Sequence, residues 1–162
     1  MSSKSKELVF QNDILEQMQS HGWLLGESKS YNKELALYPE DLIAFVQTTQ
    51  PEQWKKQLGI HPKNPEDALL KTVVRDLSAN NKGTLWVLRN LIKDRGAKFS
   101  LCAFKPDHGL NPDAIERYNQ NILRVVPELK YSPNGYDGRI DLTLFVNGIP
   151  VATLELKSEF KQ

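Results

Sequence analysis

The segment Arg139–Lys157 constrains the fold more than any other part of the chain. Ile140, Leu142, Leu144 and Val146 alternate with Asp141, Thr143 and Phe145; further on, Ala152, Leu154 and Leu156 alternate with Val151, Thr153, Glu155 and Lys157. Side chains on a strand alternate between faces, so each run reads as a strand with one apolar side. The two strands are predicted over 139–146 and 151–157. Asn147-Gly148 between them is a strong hairpin signal.

Packing then sets the register. The apolar positions are even-numbered in both runs, so residues that face each other must have numbers with an even sum. A plain two-residue loop at Asn147-Gly148 pairs Val146 with Ile149, an odd sum, and sends Leu142 and Leu154 to opposite faces. An odd-length loop or a bulge is therefore required, for example a type I turn with a G1 bulge at Gly148. Once the parity is repaired, Asp141, Glu155 and Lys157 share the other face. Two carboxylates on one face suit a hard divalent cation such as Mg²⁺. An ammonium beside them can orient a water or offset developing negative charge. A solvated cross-strand ion pair fits the same spacing equally well. Glu-x-Lys alone is weak evidence, because it also occurs at Glu27, Glu128 and Glu159.

Upstream the period changes. Lys6–Ser20 is predicted helical, with an apolar stripe of Leu8, Ile14, Leu15 and Met18 and a stop at Gly22. Pro39-Glu40-Asp41, Pro51 and Asn64-Pro65-Glu66-Asp67 each mark a helix start, with proline in the first turn and acids at the positive helix end. A further helix is predicted over Thr84–Asp94, a strand over Ala97–Phe104, a helix over Asn111–Asn119 and a strand over Ile122–Tyr131. In the last of these Pro127 implies an edge or a bulge. The expected architecture is a mixed α/β (α+β) single domain spanning 1–162. It divides into a mainly helical part over 6–95 and a strand-rich part over 96–162, with the first helix packed on the later sheet.

Composition excludes several classes. The 162 residues are 40% hydrophobic and 25% charged, with a net charge of +1. Grip on nucleic acid by bulk charge is therefore not expected. No apolar run is long enough to span a membrane, and the polar N-terminus lacks a signal peptide's apolar stretch; a cytoplasmic location is the expectation. Cys102 is the only cysteine, so an internal disulfide is excluded, and it reads as a buried small hydrophobe on a strand. The three histidines lack metal-ligand spacing, and His21 reads as a surface or capping residue. Trp23, Trp54 and Trp86 read as core. Tyr131, Tyr136 and Arg139 flank Asp141 in a Gly/Pro-rich stretch; a plain loop and a DNA-backbone contact by Tyr131 and Arg139 are equally good readings.

The run Asn121-Ile-Leu-Arg-Val-Val-Pro-Glu-Leu-Lys-Tyr-Ser-Pro133, followed by Asp141-Leu-Thr-Leu-Phe-Val-Asn-Gly-Ile-Pro-Val-Ala-Thr-Leu-Glu-Leu-Lys157, closely resembles the N-terminal domain of type I restriction enzyme R subunits. His21-Gly22-Trp23, Glu34-Leu-Ala-Leu37, Pro39-Glu-Asp-Leu-Ile-Ala-Phe45 and Lys93-Asp-Arg-Gly96 extend the resemblance over most of the chain. It implies a PD-(D/E)xK nuclease fold, a mixed sheet flanked by helices that hydrolyses DNA phosphodiesters with Mg²⁺. It also implies catalytic roles for Asp141, Glu155 and Lys157, and metal ligation by Asp141, Glu155 and the Leu156 carbonyl. The first-helix glutamate of the family falls on Glu7, which read alone is an exposed helix-start acid. The family's proline ahead of the aspartate is missing, since Ile140 stands there; the chemistry needs only the carboxylate. DNA and the modification and specificity subunits are the implied partners. The family's glutamine-tyrosine helix and an ATP-binding Gly-x-x-x-x-Gly-Lys-Ser/Thr loop are not in the sequence. The chain therefore reads as a piece of an R subunit whose ATP-driven motor lies elsewhere. A non-cleaving docking module, or a different nuclease of the same fold, are the alternative readings.

Overall fold

A computed structural model describes residues 2–157. Helix α1 (Ser3–Ser20) is followed by the short strand β1 (Leu24–Leu25) and a 3-10 turn at Ser28–Ser30. Helices α2 (Pro39–Thr49), α3 (Pro51–Ile60), α4 (Pro65–Ser78) and α5 (Thr84–Arg89) come next. Strands β2 (Ile92–Asp94) and β3 (Ala97–Phe99) form a hairpin of their own. Helix α6 (Pro112–Asn119) then leads into β4 (Leu123–Lys130), β5 (Arg139–Val146) and β6 (Ile149–Leu154). The main sheet has the order β1-β4-β5-β6, with β1 parallel to β4 and the other pairs antiparallel. The mixed α/β expectation holds.

Helix starts follow the proline signals: α2, α3, α4 and α6 each have proline in their first turn. The Ser2 hydroxyl caps α1, and Gly22 ends it with φ +93°. Two expectations need correction. The helix predicted over Thr84–Asp94 stops at Arg89, because Ile92, Ala97 and Phe99 are all fully buried on the β2–β3 hairpin, which turns at Arg95-Gly96. Burial of that alternating set outweighs local helix preference. The strand predicted over Ala97–Phe104 ends at Phe99. Beyond it, side-chain amides take the place of a neighbouring strand. Gln50 accepts from the Ser100 amide at 2.7 Å and donates to its carbonyl at 2.8 Å. Asn147 donates to the Leu101 carbonyl, and Asn121 both accepts from and donates to Ala103. Cys102 accordingly lies on an irregular segment, half-buried, and burial pushes its thiol pKa up.

The larger core lies between the helices and the β2–β3 hairpin, with Leu42, Phe45, Val46, Leu69, Val73, Val87, Ile92 and Phe99 at its centre. Trp54 and Trp86 pack against it half-buried. A smaller cluster joins Tyr38, Val126, Leu129 and Phe145 on the sheet, with Tyr31 and Ile140 against it. Phe145 is fully buried although it belongs to the odd-numbered set of β5. That face is thus apolar at its Phe145 end and polar at its Asp141 end.

The Asn147-Gly148 turn is buried. Asn147 donates to the Leu101 carbonyl and the Asn121 side chain, while its own side-chain oxygen accepts from the Ile122 amide. The Gly148 carbonyl accepts from the Tyr38 amide at 2.8 Å, which ties the turn to the start of α2. The closed end of the hairpin is therefore fastened into the core, and its open end, carrying Asp141, lies at the other end of the sheet.

Candidate active site

The register resolves the parity question. Val146 pairs with Ile149 and Phe145 with Pro150, but Leu144 pairs with Ala152, Thr143 with Thr153 and Leu142 with Leu154. Val151 is the extra residue, opposite no partner in β5. Asn147 and Gly148 both have positive φ, +49° and +79°, as a type I′ two-residue turn requires. The repair is thus a bulge within β6, not the odd loop or G1 bulge at Gly148. Its effect is the one packing demanded, since Leu142 and Leu154 face each other.

The strand ladder ends at Leu154, one residue before Glu155. The predicted strand over 151–157 therefore starts and stops early. Attachment to β5 continues by another means: the Leu156 amide donates to Asp141 Oδ2 at 2.6 Å. A short bond to an ionised acceptor is a strong one. It holds the Glu155–Lys157 segment beside Asp141, with Asp141 and Leu156 half-buried and Glu155 and Lys157 exposed.

Asp141 and Leu156 line a cavity of about 320 Å³ together with Lys4, Glu7, Leu8, Gln11 and Glu128. Helix α1 thus borders the sheet at the open end of the hairpin, as expected. Glu7 is half-buried, and Gln11, Ile14 and Met18 are its buried or half-buried successors on α1. Positions 7, 11, 14 and 18 share one helical face, so Glu7 extends the inward face and is not an exposed helix-start acid. Leu8, placed on the predicted apolar stripe, is instead 55% exposed.

Glu128 is the residue that sequence reasoning passes over. It sits on β4 between the pairs Pro127–Leu142 and Leu129–Ile140, which places it opposite Asp141. Its φ of +51° is left-handed, a conformation that costs a non-glycine residue about 1 kcal/mol or more and clusters at functional positions. Two signals point to it: Pro127 beside it, which implies an irregularity, and the Glu128-Leu-Lys130 tripeptide, identical to Glu155-Leu-Lys157. β1 pairs only with Arg124 and Val125, so Pro127 lies beyond its reach and disrupts no ladder bond there.

The site's donors are all oxygens, the set that hard cations take. Among the described residues, no three His, Cys, Asp or Glu side chains are grouped closely enough to hold a metal by themselves. The loop before β5 presents Tyr131 and Tyr136, both exposed and edge-on to each other at 6.4 Å. Lys130 and Arg139 flank Asp137 there, and with Lys130 first the two cations hold its carboxyl below the usual range. His21 caps α1 and is exposed.

The comparison with protein families decides the affiliation. The family model described as "Type I restriction enzyme R protein N terminus" matches residues 4–162. The chain belongs to that family. No curated protein and no solved structure matches it. The match spans both the helical part and the sheet of this R-protein N terminus, and so covers α1 with Glu7 as well as the hairpin with Asp141. Among the described residues of this R-protein N terminus, no helix is long and apolar enough to cross a membrane.

Proposed function

We propose that this chain is the Mg²⁺-dependent DNA-cleaving part of a type I restriction R subunit, hydrolysing phosphodiester bonds of foreign DNA. The observation that carries the reading is the 2.6 Å bond from the Leu156 amide to Asp141, which keeps the Glu-x-Lys segment next to the aspartate after the strand ladder has ended. Family membership and the cavity that brings Glu7 beside Asp141 support it.

Asp141, Glu155 and the Leu156 carbonyl would hold the ion, with water and phosphate oxygens as its other ligands. Two carboxylates and a carbonyl are enough for such an open site, so a three-side-chain cage is not needed. When bound, the cation polarises the phosphate and lowers the pKa of water. Asp141 commits one carboxylate oxygen to the Leu156 amide, which fixes its orientation. Lys157, two residues beyond Glu155, positions the attacking water and offsets charge developing on the phosphate. Glu7 acts from α1 on the same cavity. Tyr131 and Arg139, exposed on the approach to β5, touch the DNA backbone. In the whole enzyme, modification and specificity subunits select the target and an ATP-driven motor delivers the DNA. A cytoplasmic location follows from that role.

In the intact subunit, Asp141→Ala or Lys157→Ala should abolish DNA cleavage and leave ATP hydrolysis at the wild-type rate. Undiminished cleavage in both variants would sink the assignment. Titration of the intact subunit with Mn²⁺ separates it from a non-cleaving docking module, for which no binding is expected.

A further inference from the structure

A second cavity, of about 490 Å³, opens between α4, α5 and β2 and shares no residue with the one at Asp141. Arg75, Lys82, Arg89 and Lys93 line it, with Trp86 and a single acid, Asp76. The protein as a whole carries only +1, so this is a local concentration of positive charge.

The pocket is built from inside. The Asp76 side chain is only 3% exposed and sits beneath two of the cations. Its Oδ1 accepts from Arg75 Nε and from Lys82 Nζ, each at 3.0 Å. Arg75 Nη2 also donates to the Lys93 carbonyl at 3.2 Å. Lys82 Nζ stands 4.3 Å over the Trp86 ring, a cation–π contact that fixes it further. Arg75 and Lys82 are thus held by a buried carboxylate, while Arg89 and Lys93 reach the rim from exposed positions.

Arg75 and Arg89 lie in the last turns of α4 and α5, where cations complement the helix dipole. The balance of charge goes further. Two helix ends contribute about half a negative charge each, and Asp76 contributes one. Together they offset about two of the four cations, and the pocket stays positive. Lys82 and Lys93 belong to neither helix, so the dipole does not account for them.

We propose that this pocket binds phosphate groups of the DNA backbone away from the cleavage centre. With Nε and Nη2 of Arg75 already donating to Asp76 and the Lys93 carbonyl, its Nη1 group, the lysines and Arg89 present the positive charge, a pattern suited to phosphate oxygens. Such contacts position a duplex without reading its bases. The inference rests on the nuclease reading only for the choice of DNA as the phosphate's source. A local grip of this kind is compatible with a net charge of only +1.

The test is binding of the full chain to a fluorescently labelled random-sequence duplex, followed by anisotropy across a salt series. Arg89→Gln with Lys93→Gln removes two rim cations and leaves the Asp76 network intact; circular dichroism checks that the fold is kept. The double variant should bind at least about tenfold more weakly at low salt. Its log–log salt slope should fall by about 1.8, near 0.9 for each phosphate that is no longer neutralised. Lys71→Gln, which removes a charge paired with Asp67 elsewhere on α4, should bind as the wild type does. Equal affinity and slope in the double variant would overturn the proposal. Inorganic phosphate at matched ionic strength should compete no better than chloride; strong competition would mark a small-anion site and overturn the choice of DNA. Normal DNA binding with failed subunit assembly would mark a protein-docking surface and overturn it too. An intact, Mg²⁺-supplied restriction enzyme that fails to cleave, paired with a double variant of weakened DNA affinity, would refute the nuclease reading and support this pocket. A cleaving wild type with an insensitive double variant would do the reverse.

Discussion

At the scale of single residues, the molecule depends on a few polar groups that are buried and paired. Arg124 on β4 donates from Nε and Nη2 to the two oxygens of Asp41 at 2.6 and 2.8 Å, with the Asp41 side chain 4% exposed. Its guanidinium also lies 5.0 Å from the Tyr38 ring centre. This bidentate pair locks α2 to the sheet. Arg124→Met strands the buried Asp41 charge and should cost about 3–5 kcal/mol in urea denaturation; a cost near zero would contradict the lock. Asp76 gives a pH-dependent counterpart. Burial pushes its pKa up, but the bonds from Arg75 and Lys82 and their charge pull it down further, so it ends below the ordinary aspartate range. A depressed carboxyl contributes stability above its unfolded pKa and loses it as pH falls through the folded value. Asp76→Asn should therefore destabilise by about 1.5–3 kcal/mol near neutrality, and its deficit against wild type should shrink below about pH 4, the ordinary aspartate pKa. A deficit that stays constant down to about pH 2–3 would contradict the linkage. The Arg124–Asp41 lock is not legible in the sequence, because the two residues are 83 positions apart and a single sequence does not report such pairings. Asp41 is readable there only as a helix-start acid.

Among the elements, the final hairpin shows what periodicity can and cannot reach. Parity requires one extra residue between the two apolar runs and leaves its position open. The structure puts it at Val151, because Asn147 and Gly148 are held in a tight turn by Leu101, Ile122 and Tyr38. Those partners come from elsewhere in the chain, so the local pattern cannot choose between a longer loop and a bulge. A Cβ on Gly148 would collide with the Tyr38 carbonyl and with Leu42, and its φ of +79° is itself unfavourable for other residues. Gly148→Ala should cost at least about 2 kcal/mol by thermal or urea unfolding; a neutral effect would refute the close approach. Deleting Val151 removes the bulge and turns Leu154 and the segment beyond it over. Because β6 is an edge strand, the deletion should leave a folded protein by circular dichroism that no longer cleaves DNA. Full cleavage by the deletion variant would show that the register does not assemble the site. Strand β2, which local pattern reads as the end of a helix, is hidden for the same reason as the bulge: the helical core buries the alternating side chains of the β2–β3 hairpin, and only tertiary packing reveals it.

Across the whole molecule, the division of labour is between a helical core that anchors one end of the last hairpin and an open end that carries the chemistry. The mixed fold, the helix starts and the joint placement of Asp141 with the Glu155–Lys157 segment are readable from prolines, periodicity and parity. Glu7's place at the site is readable only through the family resemblance, since on its own it reads as an exposed helix-start acid. The other wall of the cavity is not. Glu128 reaches Asp141 through the β4–β5 pairing and a left-handed residue in the middle of a strand, and strand order cannot be taken from alternation alone. Two carboxylates thus compete for the role of Asp141's partner. Cleavage of a supercoiled plasmid by the intact, Mg²⁺-supplied restriction enzyme separates them, with Glu155→Gln and Glu128→Gln compared side by side. Glu155→Gln should lower the cleavage rate by about a hundredfold or more, while Glu128→Gln should stay within about tenfold of wild type. Full cleavage by Glu155→Gln, with the loss falling on Glu128→Gln instead, would contradict the role given to Glu155.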